Sequence, residues 1–153
     1  MDQFLSTFTN KIDAKGRISV PADFRAVLTK RGSGGLVLGP SERCAALEGG
    51  GEDYLKDIQK QIDSLPPFSP ERQFLIDAKM PALRHLTPDG EGRIMITLID
   101  QLEAHTGLAC PGQAVFVGRG NHFQIWHPDA WAERQREANN RARAFWQSGG
   151  AAQ

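Results

Sequence analysis

The sequence predicts an α+β fold, mainly β, in which two copies of one unit pack as a pseudo-two-fold β-barrel or sandwich. Three observations carry this expectation. An eight-residue motif occurs twice: Asp13-Ala14-Lys15-Gly16-Arg17-Ile18-Ser19-Val20 returns as Asp89-Gly90-Glu91-Gly92-Arg93-Ile94-Met95-Ile96, seventy-six positions later. Later stretches match as well, Leu36-Val37-Leu38-Gly39 with Val115-Phe116-Val117-Gly118, and Cys44-Ala45-Ala46-Leu47 with Phe123-Gln124-Ile125-Trp126. Finally, a unit of about fifty residues with four short strands is close to the lower limit for burying its own core, so two units are expected to share one.

The motif reads as a turn. Asp at its first position accepts hydrogen bonds from backbone N–H groups further along, and Gly at the fourth takes a positive φ without a Cβ clash. That pairing suits a three-residue hairpin loop closed by a Gly bulge. Asp13 and Gly16, and Asp89 and Gly92, are therefore the turn-forming residues. Before the first turn Phe8, Asn10 and Ile12 alternate with Thr9 and Lys11. After it, Arg17 to Val20 run out as the second strand. Pro21 suits the first position of a helix, whose stripe is Phe24, Val27 and Leu28. In the second copy Thr97 is read as an N-cap, Leu98, Leu102 and His105 as the stripe, and Gly107 as the C-cap.

Glu52 to Leu65 predicts a helix with Tyr54, Leu55, Ile58, Ile62 and Leu65 on one stripe, stopped by Pro66-Pro67. Ser69-Pro70-Glu71 is a capped restart, with Phe74, Leu75 and Ala78 as the next stripe. His127-Pro128 opens a last helix to about Gln147, on which Trp131, Ala138 and Phe145 recur every seven residues. Ser148 to Gln153 is expected to be disordered.

The chain has 153 residues and a formal net charge of zero. That neutrality hides a gradient. Residues 1–35 carry six basic and three acidic side chains, residues 36–100 seven and eleven, and residues 101–153 five and four. Positive charge gathers around the first motif, and field asymmetry matters more than the sum. No apolar run approaches membrane-spanning length, and Met1-Asp2-Gln3-Phe4 has neither the basic nor the apolar region of a secretory signal. Cys44 and Cys110 match no redox or zinc spacing and are expected to be reduced, buried apolar residues.

Catalytic patterns are wanting. His122 and His127 are five apart, which is no metal-ligand spacing. Gly118-Arg119-Gly120 lacks the third Gly of a dinucleotide fingerprint, and Gly32-Ser33-Gly34-Gly35 lacks the Lys-Ser/Thr of a phosphate loop. Asp13 and Asp89 are explained by their turns. No enzyme, cofactor or metal is expected.

The doubled Asp-x-x-Gly-Arg, the run from Asp13 to Pro21 followed by Phe24-Arg25, and the late Val115–Gly118 and Phe123–Trp126 together resemble the MraZ family, built from two SpoVT-AbrB-type units. The resemblance spans roughly Phe4 to Trp146. It implies a double-split, swapped-hairpin barrel formed within one chain, with repeat 1 over 5–54, a helical connector over 55–81, repeat 2 over 82–129, a C-terminal helix over 130–147 and a tail over 148–153. It also implies a cytoplasmic, nucleoid-associated repressor that binds short direct repeats in double-stranded promoter DNA as a ring-shaped homo-oligomer, with no membrane and no small-molecule substrate. The target would be the division and cell-wall gene cluster that contains its own gene. Lys15, at the first hairpin tip, and Arg17 are assigned to DNA, with Lys11 and Arg25 flanking that end. Arg93 is assigned either to DNA or to pairing with its own Asp, because Glu91 stands where the first copy has Lys15. Pro88, before the second Asp, predicts a short or displaced incoming strand. The alternative is a DNA-free oligomeric scaffold or antitoxin-like interaction module, favoured by the acidic middle segment.

Overall fold

The structure is a computed structural model and describes residues 2–150. Its strands are β1 (Thr7–Ile12), β2 (Arg17–Ser19), β3 (Leu36–Pro40), β4 (Leu47–Gly50), β5 (Arg84–Leu86), β6 (Arg93–Met95), β7 (Gly112–Gly118) and β8 (Phe123–Trp126). Helix α1 (Ala22–Lys30) joins β2 to β3, and α2 (Glu52–Asp63) and α3 (Pro70–Lys79) join β4 to β5. Helix α4 (Leu102–Thr106) precedes β7, and α5 (Pro128–Gln147) follows β8. All eight strands form one sheet in the order β5-β3-β4-β8-β7-β1-β2-β6, curled into a nearly closed α+β barrel.

The pairings carry the predicted pseudo-symmetry. Exchanging β1 with β5, β2 with β6, β3 with β7 and β4 with β8 turns β1–β7 into β5–β3 and β7–β8 into β3–β4. Two pairings map onto themselves. In β2–β6, Ile18 lies opposite Ile94, its own counterpart; in β4–β8, Glu48 lies opposite Gln124. The pseudo-two-fold axis enters the barrel through one pair and leaves through the other. Around Ile18 and Ile94, the Val20 N–H donates to the Gly92 carbonyl and the Ile96 N–H to the Gly16 carbonyl, both at 2.9 Å. Each hairpin is thus held by the other half of the chain.

One pairing lacks its counterpart. β1 meets β2 through Ile12 and Ile18, whereas β5 and β6 do not pair. Pro88 stands where the first copy has Ile12, and it has no N–H to donate. The second turn still closes, with the Asp89 N–H donating to the Arg93 carbonyl at 2.9 Å, as Asp13 does to Arg17. The ladder stops one step short, and β5 has three residues where β1 has six. The short incoming strand read from Pro88 is present.

Register also corrects the matching of the later strands. Leu38 pairs with Arg84 as Phe116 pairs with Phe8, so Leu38 corresponds to Phe116, not Val117. Strand β4 is Leu47-Glu48-Gly49-Gly50 rather than Cys44 to Leu47, and it corresponds to Phe123–Trp126. The paired glycines make room: a Cβ on Gly49 would lie 3.0 Å from the Phe123 ring, and one on Gly50 2.6 Å from Tyr54.

Phe4, Phe24, Phe116 and Phe123 fill the barrel, with Phe24 edge-on to Phe4 at 5.2 Å and tilted on Phe123 at 5.4 Å. Each fully buried Phe contributes roughly 1.5–3 kcal/mol. Phe24, Val27 and Leu28 of α1 are buried as their spacing predicts. Pro21 is its N-cap rather than its first turn. Val115 and Val117 face outward into a second cluster with Ala46 and Trp126, against which Trp131 packs.

Several helix expectations need correction. The second copy has no helix at Thr97. A single 3₁₀ turn spans Ile96–Leu98, and α4 starts only after Gln101, whose φ of 60° is left-handed. Leu98 is exposed, while Gly107 does close α4 at φ 76°. α2 ends at Asp63, two residues early, and Phe74 and Leu75 of α3 face solvent. α5 buries no residue: Trp131 touches the barrel, but Ala138 and Phe145 do not. Ser148, Gly149 and Gly150 wrap its end with backbone hydrogen bonds to Ala144, Trp146 and Phe145, so this part of the tail is ordered. Residues 151–153, the rest of that tail, lie outside the described residues. Cys44 and Cys110 are free and only partly buried.

The two turn glycines have φ of +89° at Gly16 and +79° at Gly92. A Cβ on Gly16 would lie 2.3 Å from the Thr97 methyl carbon, and one on Gly92 2.7 Å from the end of the Arg25 side chain. Valine at either is strained by about 1–3 kcal/mol. Gly16→Val is expected to lower the melting temperature more than Gly92→Val, because the clash at Gly16 reaches Cβ of the short Thr97 side chain while that at Gly92 meets only the far end of the long Arg25 side chain. Equal or unchanged melting would contradict this ranking.

At the other end of the axis, Glu48 accepts from Gln124 Nε2 at 2.9 Å and faces His122 and Lys79 Nζ at 3.8 Å each. His122 first, then Gln124 and Lys79, hold its carboxyl down to about 2. A depressed carboxylate contributes stability that is present above its ordinary value of 4.5 and is lost as pH falls toward 2. Denaturant melts across that window are expected to lose up to about 3 kcal/mol in the wild type, and markedly less in Glu48→Gln.

Candidate nucleic-acid interface

Each hairpin is organised by its Asp. Asp13 Oδ1 accepts the N–H groups of Lys15 at 3.0 Å and Arg17 at 2.8 Å, while Oδ2 accepts Arg17 Nε at 2.5 Å. Asp89 does the same for Glu91 at 2.9 Å and for Arg93 N and Nε at 3.0 Å each. One carboxylate therefore shapes the loop and fixes the guanidinium that follows it. The Arg17 N–H first, then its side chain and the Lys15 N–H, hold the Asp13 carboxyl below its ordinary value. Asp89 is lowered in the same way, led by the Arg93 N–H.

The side chains that project from this part of the barrel form a row. Ile12, Ile18 and Ile94 point inward and are buried, so their strand neighbours Lys11, Arg17, Ser19, Arg93 and Met95 point outward. Ser19 lies opposite Arg93, and Arg17 opposite Met95. Arg17 and Arg93 are diagonal neighbours across the axis, roughly 7–8 Å apart at Cα. Lys11 joins the same face and lies opposite Gln113 of β7. Among the described residues no protein group hydrogen-bonds the Nη atoms of Arg17. Arg93 Nη1 instead has Glu91 at 3.6 Å.

The structure thus brings Lys11, Arg17 and Arg93 together. Lys15 is exposed at the first tip and Glu91 at the second, about six residues apart by the register of the β2–β6 pair, or roughly 20 Å. Arg25 is elsewhere: its Nε donates to the Val20 carbonyl at 3.1 Å and its guanidinium packs on Gly92. It braces the second turn and does not flank the first, because β2 carries α1 across the axis to the other hairpin. One neutral member of the face escaped the sequence reading: Gln113, placed there only by the long-range β1–β7 pairing. Asn10, on the Ile12 side of β1, ties β1 to β2 by donating from Nδ2 to the Ser19 carbonyl at 2.7 Å. Among the described residues no His, Cys, Asp and Glu group has metal-site geometry, and no helix is long and apolar enough to cross a membrane.

A pseudo-symmetric barrel whose two exchanged, Asp-braced hairpins carry arginines on one outer face is the class defined by this geometry. No family model matches the chain. It is 40% identical over 143 residues to the transcriptional regulator MraZ of Beijerinckia indica subsp. indica, covering 94% of this chain and 85% of that protein. It is 40% identical over 148 residues to that of Xanthobacter autotrophicus, covering 97% and 92%, and 41% identical over 143 residues to that of Rhizobium rhizogenes, covering 90% and 92%. The chain belongs to the MraZ family of transcriptional regulators.

Because the backbone N–H of Arg17 is the leading cause of the low Asp13 carboxyl, removing the guanidinium should restore it only in part. A carboxyl NMR titration is expected to place Asp13 below free aspartate in the wild type, and between the two in Arg17→Gln. Full return to the free value would mean that the turn itself has opened.

Proposed function

We propose that the chain is a sequence-specific DNA-binding transcriptional regulator, a repressor of the division and cell-wall gene cluster that contains its own gene. It acts in the cytoplasm on the nucleoid, binding short direct promoter repeats as a ring-shaped homo-oligomer. The observation that supports this most is the outward face on which Lys11, Arg17 and Arg93 converge beside the Lys15 tip. Arg17 has its Nε fixed by Asp13 while both Nη atoms stay open, an arrangement suited to forking onto guanine O6 and N7 or onto a phosphate. Lys15 supplies a point charge for phosphate. The opposing Glu91 repels phosphate, so the second hairpin contributes structure, and through Arg93 one charge near the axis.

One subunit offers a small footprint, and several subunits engaging repeated sites raise affinity without new contacts. Exposed Phe68, Phe74 and Leu75 on the connector, and Phe145 and Trp146 at the end of α5, are surfaces suited to self-association. The acidic second tip is what favours the other reading, a scaffold that binds no DNA.

A gel shift with DNA from upstream of its own gene, run against salt, separates the two. Wild type is expected to bind with a steep salt dependence. Lys15→Glu should nearly abolish binding, whereas Glu91→Lys should leave it unchanged or strengthen it with a steeper slope. No retention of any DNA at low salt would favour the scaffold. Loss of binding in Glu91→Lys as severe as in Lys15→Glu, with folding intact, would overturn the one-hairpin mechanism.

A further inference from the structure

The outer face of the β2–β6 pair is a two-stranded ribbon with four side-chain positions, Arg17 and Ser19 on β2 and Arg93 and Met95 on β6. Backbone hydrogen bonds join Val20 to Gly92 at one end and Ile96 to Gly16 at the other. Hydrogen-bonded and non-hydrogen-bonded pairs alternate along an antiparallel ladder. Arg17–Met95 and Ser19–Arg93 are therefore the non-hydrogen-bonded pairs, whose side chains stand closest, with Cα atoms about 4.5 Å apart. The ribbon thus presents two tight cross-strand pairs. A two-stranded ribbon is an element that the DNA major groove admits.

The pseudo-two-fold axis maps Arg17 onto Arg93 and Ser19 onto Met95. The first two are the same residue type and the last two are not. Met95 is half-buried, and among the described residues it packs on neither apolar cluster. The core does not account for an apolar side chain at this position. Opposite it stands a guanidinium already held through Nε by Asp13. Ser19 is exposed, and among the described residues its hydroxyl makes no hydrogen bond. A thioether gains nothing from phosphate, since its sulfur is at most a weak acceptor and phosphate brings further acceptors. The apolar feature that base edges present in the major groove is the 5-methyl group of thymine.

Resting on the DNA-binding reading above, we propose that Met95 is a specificity-determining residue, whose side chain packs on the 5-methyl group of a thymine beside the base pair that Arg17 reads. Ser19, at the equivalent place across the axis, offers a hydroxyl instead. The ribbon therefore shows different chemistry at its two ends and reads its site in one direction. Two equivalent arginines alone do not supply that polarity.

Replacing thymine by deoxyuridine removes the methyl and leaves base pairing intact. Gel shifts of the full chain are run on the DNA upstream of its own gene, made once with thymine and once with deoxyuridine. Wild type is expected to bind the uracil DNA about fourfold more weakly for each contacted methyl lost, with an unchanged salt slope. Replacing one thymine at a time should place the loss at one thymine in each repeat. Met95→Ser should bind both DNAs alike, near the wild-type affinity for uracil DNA, and Met95→Leu should restore the preference for thymine. Equal binding of the two DNAs by wild type would overturn the proposal and leave the DNA-binding reading standing. This comparison needs no variant, so it decides even if Met95→Ser does not fold. A thymine preference that persists undiminished in folded Met95→Ser would also overturn the proposal, because the methyl would then act through another residue or through DNA shape. Binding of neither DNA by wild type at low salt would overturn both readings.

Discussion

The antiparallel contact between β2 and β6 is the constraint on which the rest of the molecule depends. Each is a three-residue strand, too short to persist alone, and the second has no partner within its own hairpin. Both exist because each completes the other half: Ile18 meets Ile94, and the Val20 and Ile96 N–H groups reach across to the turn glycines. The exchange sets the positions of both turns at once. It also carries α1 over the axis, so that Arg25 from the first half supports Gly92 in the second. The arginine face is therefore not a property of either hairpin. It comes into being only when the chain has folded around the axis.

The Asp of each turn performs two tasks with one carboxylate. Oδ1 collects two backbone N–H groups and Oδ2 holds Nε of the Arg beyond the Gly. An ion pair this exposed contributes little stability on its own. Its value lies in orientation, since a guanidinium pinned through Nε has lost most of its side-chain freedom before it meets a ligand. Reading Arg17 as paired with its Asp and reading it as a recognition residue are thus compatible. The first pairing uses one edge of the fork and leaves the other.

What could be read in the sequence was what local chemistry decides. Asp, Gly and Arg at fixed spacing specify the turn wherever it stands, and Phe24, Val27 and Leu28 specify the buried face of α1. Pro88 marked the broken ladder because a missing N–H has the same effect in any sheet. The errors lie where a partner distant in sequence sets the outcome. Leu47-Glu48-Gly49-Gly50 shows no apolar alternation, yet it is a strand, because Phe123 and Tyr54 occupy the space that larger side chains would need. Phe74, Leu75 and Ala78 make a helical stripe, yet Phe74 and Leu75 remain exposed on α3. The site residues divide in the same way. Lys15 and the Asp–Arg pairs were legible, whereas Gln113 on the arginine face and the cluster of Glu48, Lys79 and His122 depend on strand pairings and helix docking across the whole chain.

The open seam makes the two hairpins mechanically unequal, and this bears on which of them suits recognition. The first is backed by β1, which pairs along its full length with β7 and is tied to β2 by Asn10. The second has β2 on one side and an unpaired edge on the other, with Pro88 and a three-residue strand leading into it. An exposed edge invites pairing with other chains, and short strands interrupted by proline are a common way of blunting it. Pro88 thus protects the seam that it opens, at the expense of rigidity in the second turn. Preorganisation favours binding by the better-held element. The chain carries Lys15 on that one and Glu91 on the looser one, so charge and stiffness favour the same hairpin for contact with a polyanion.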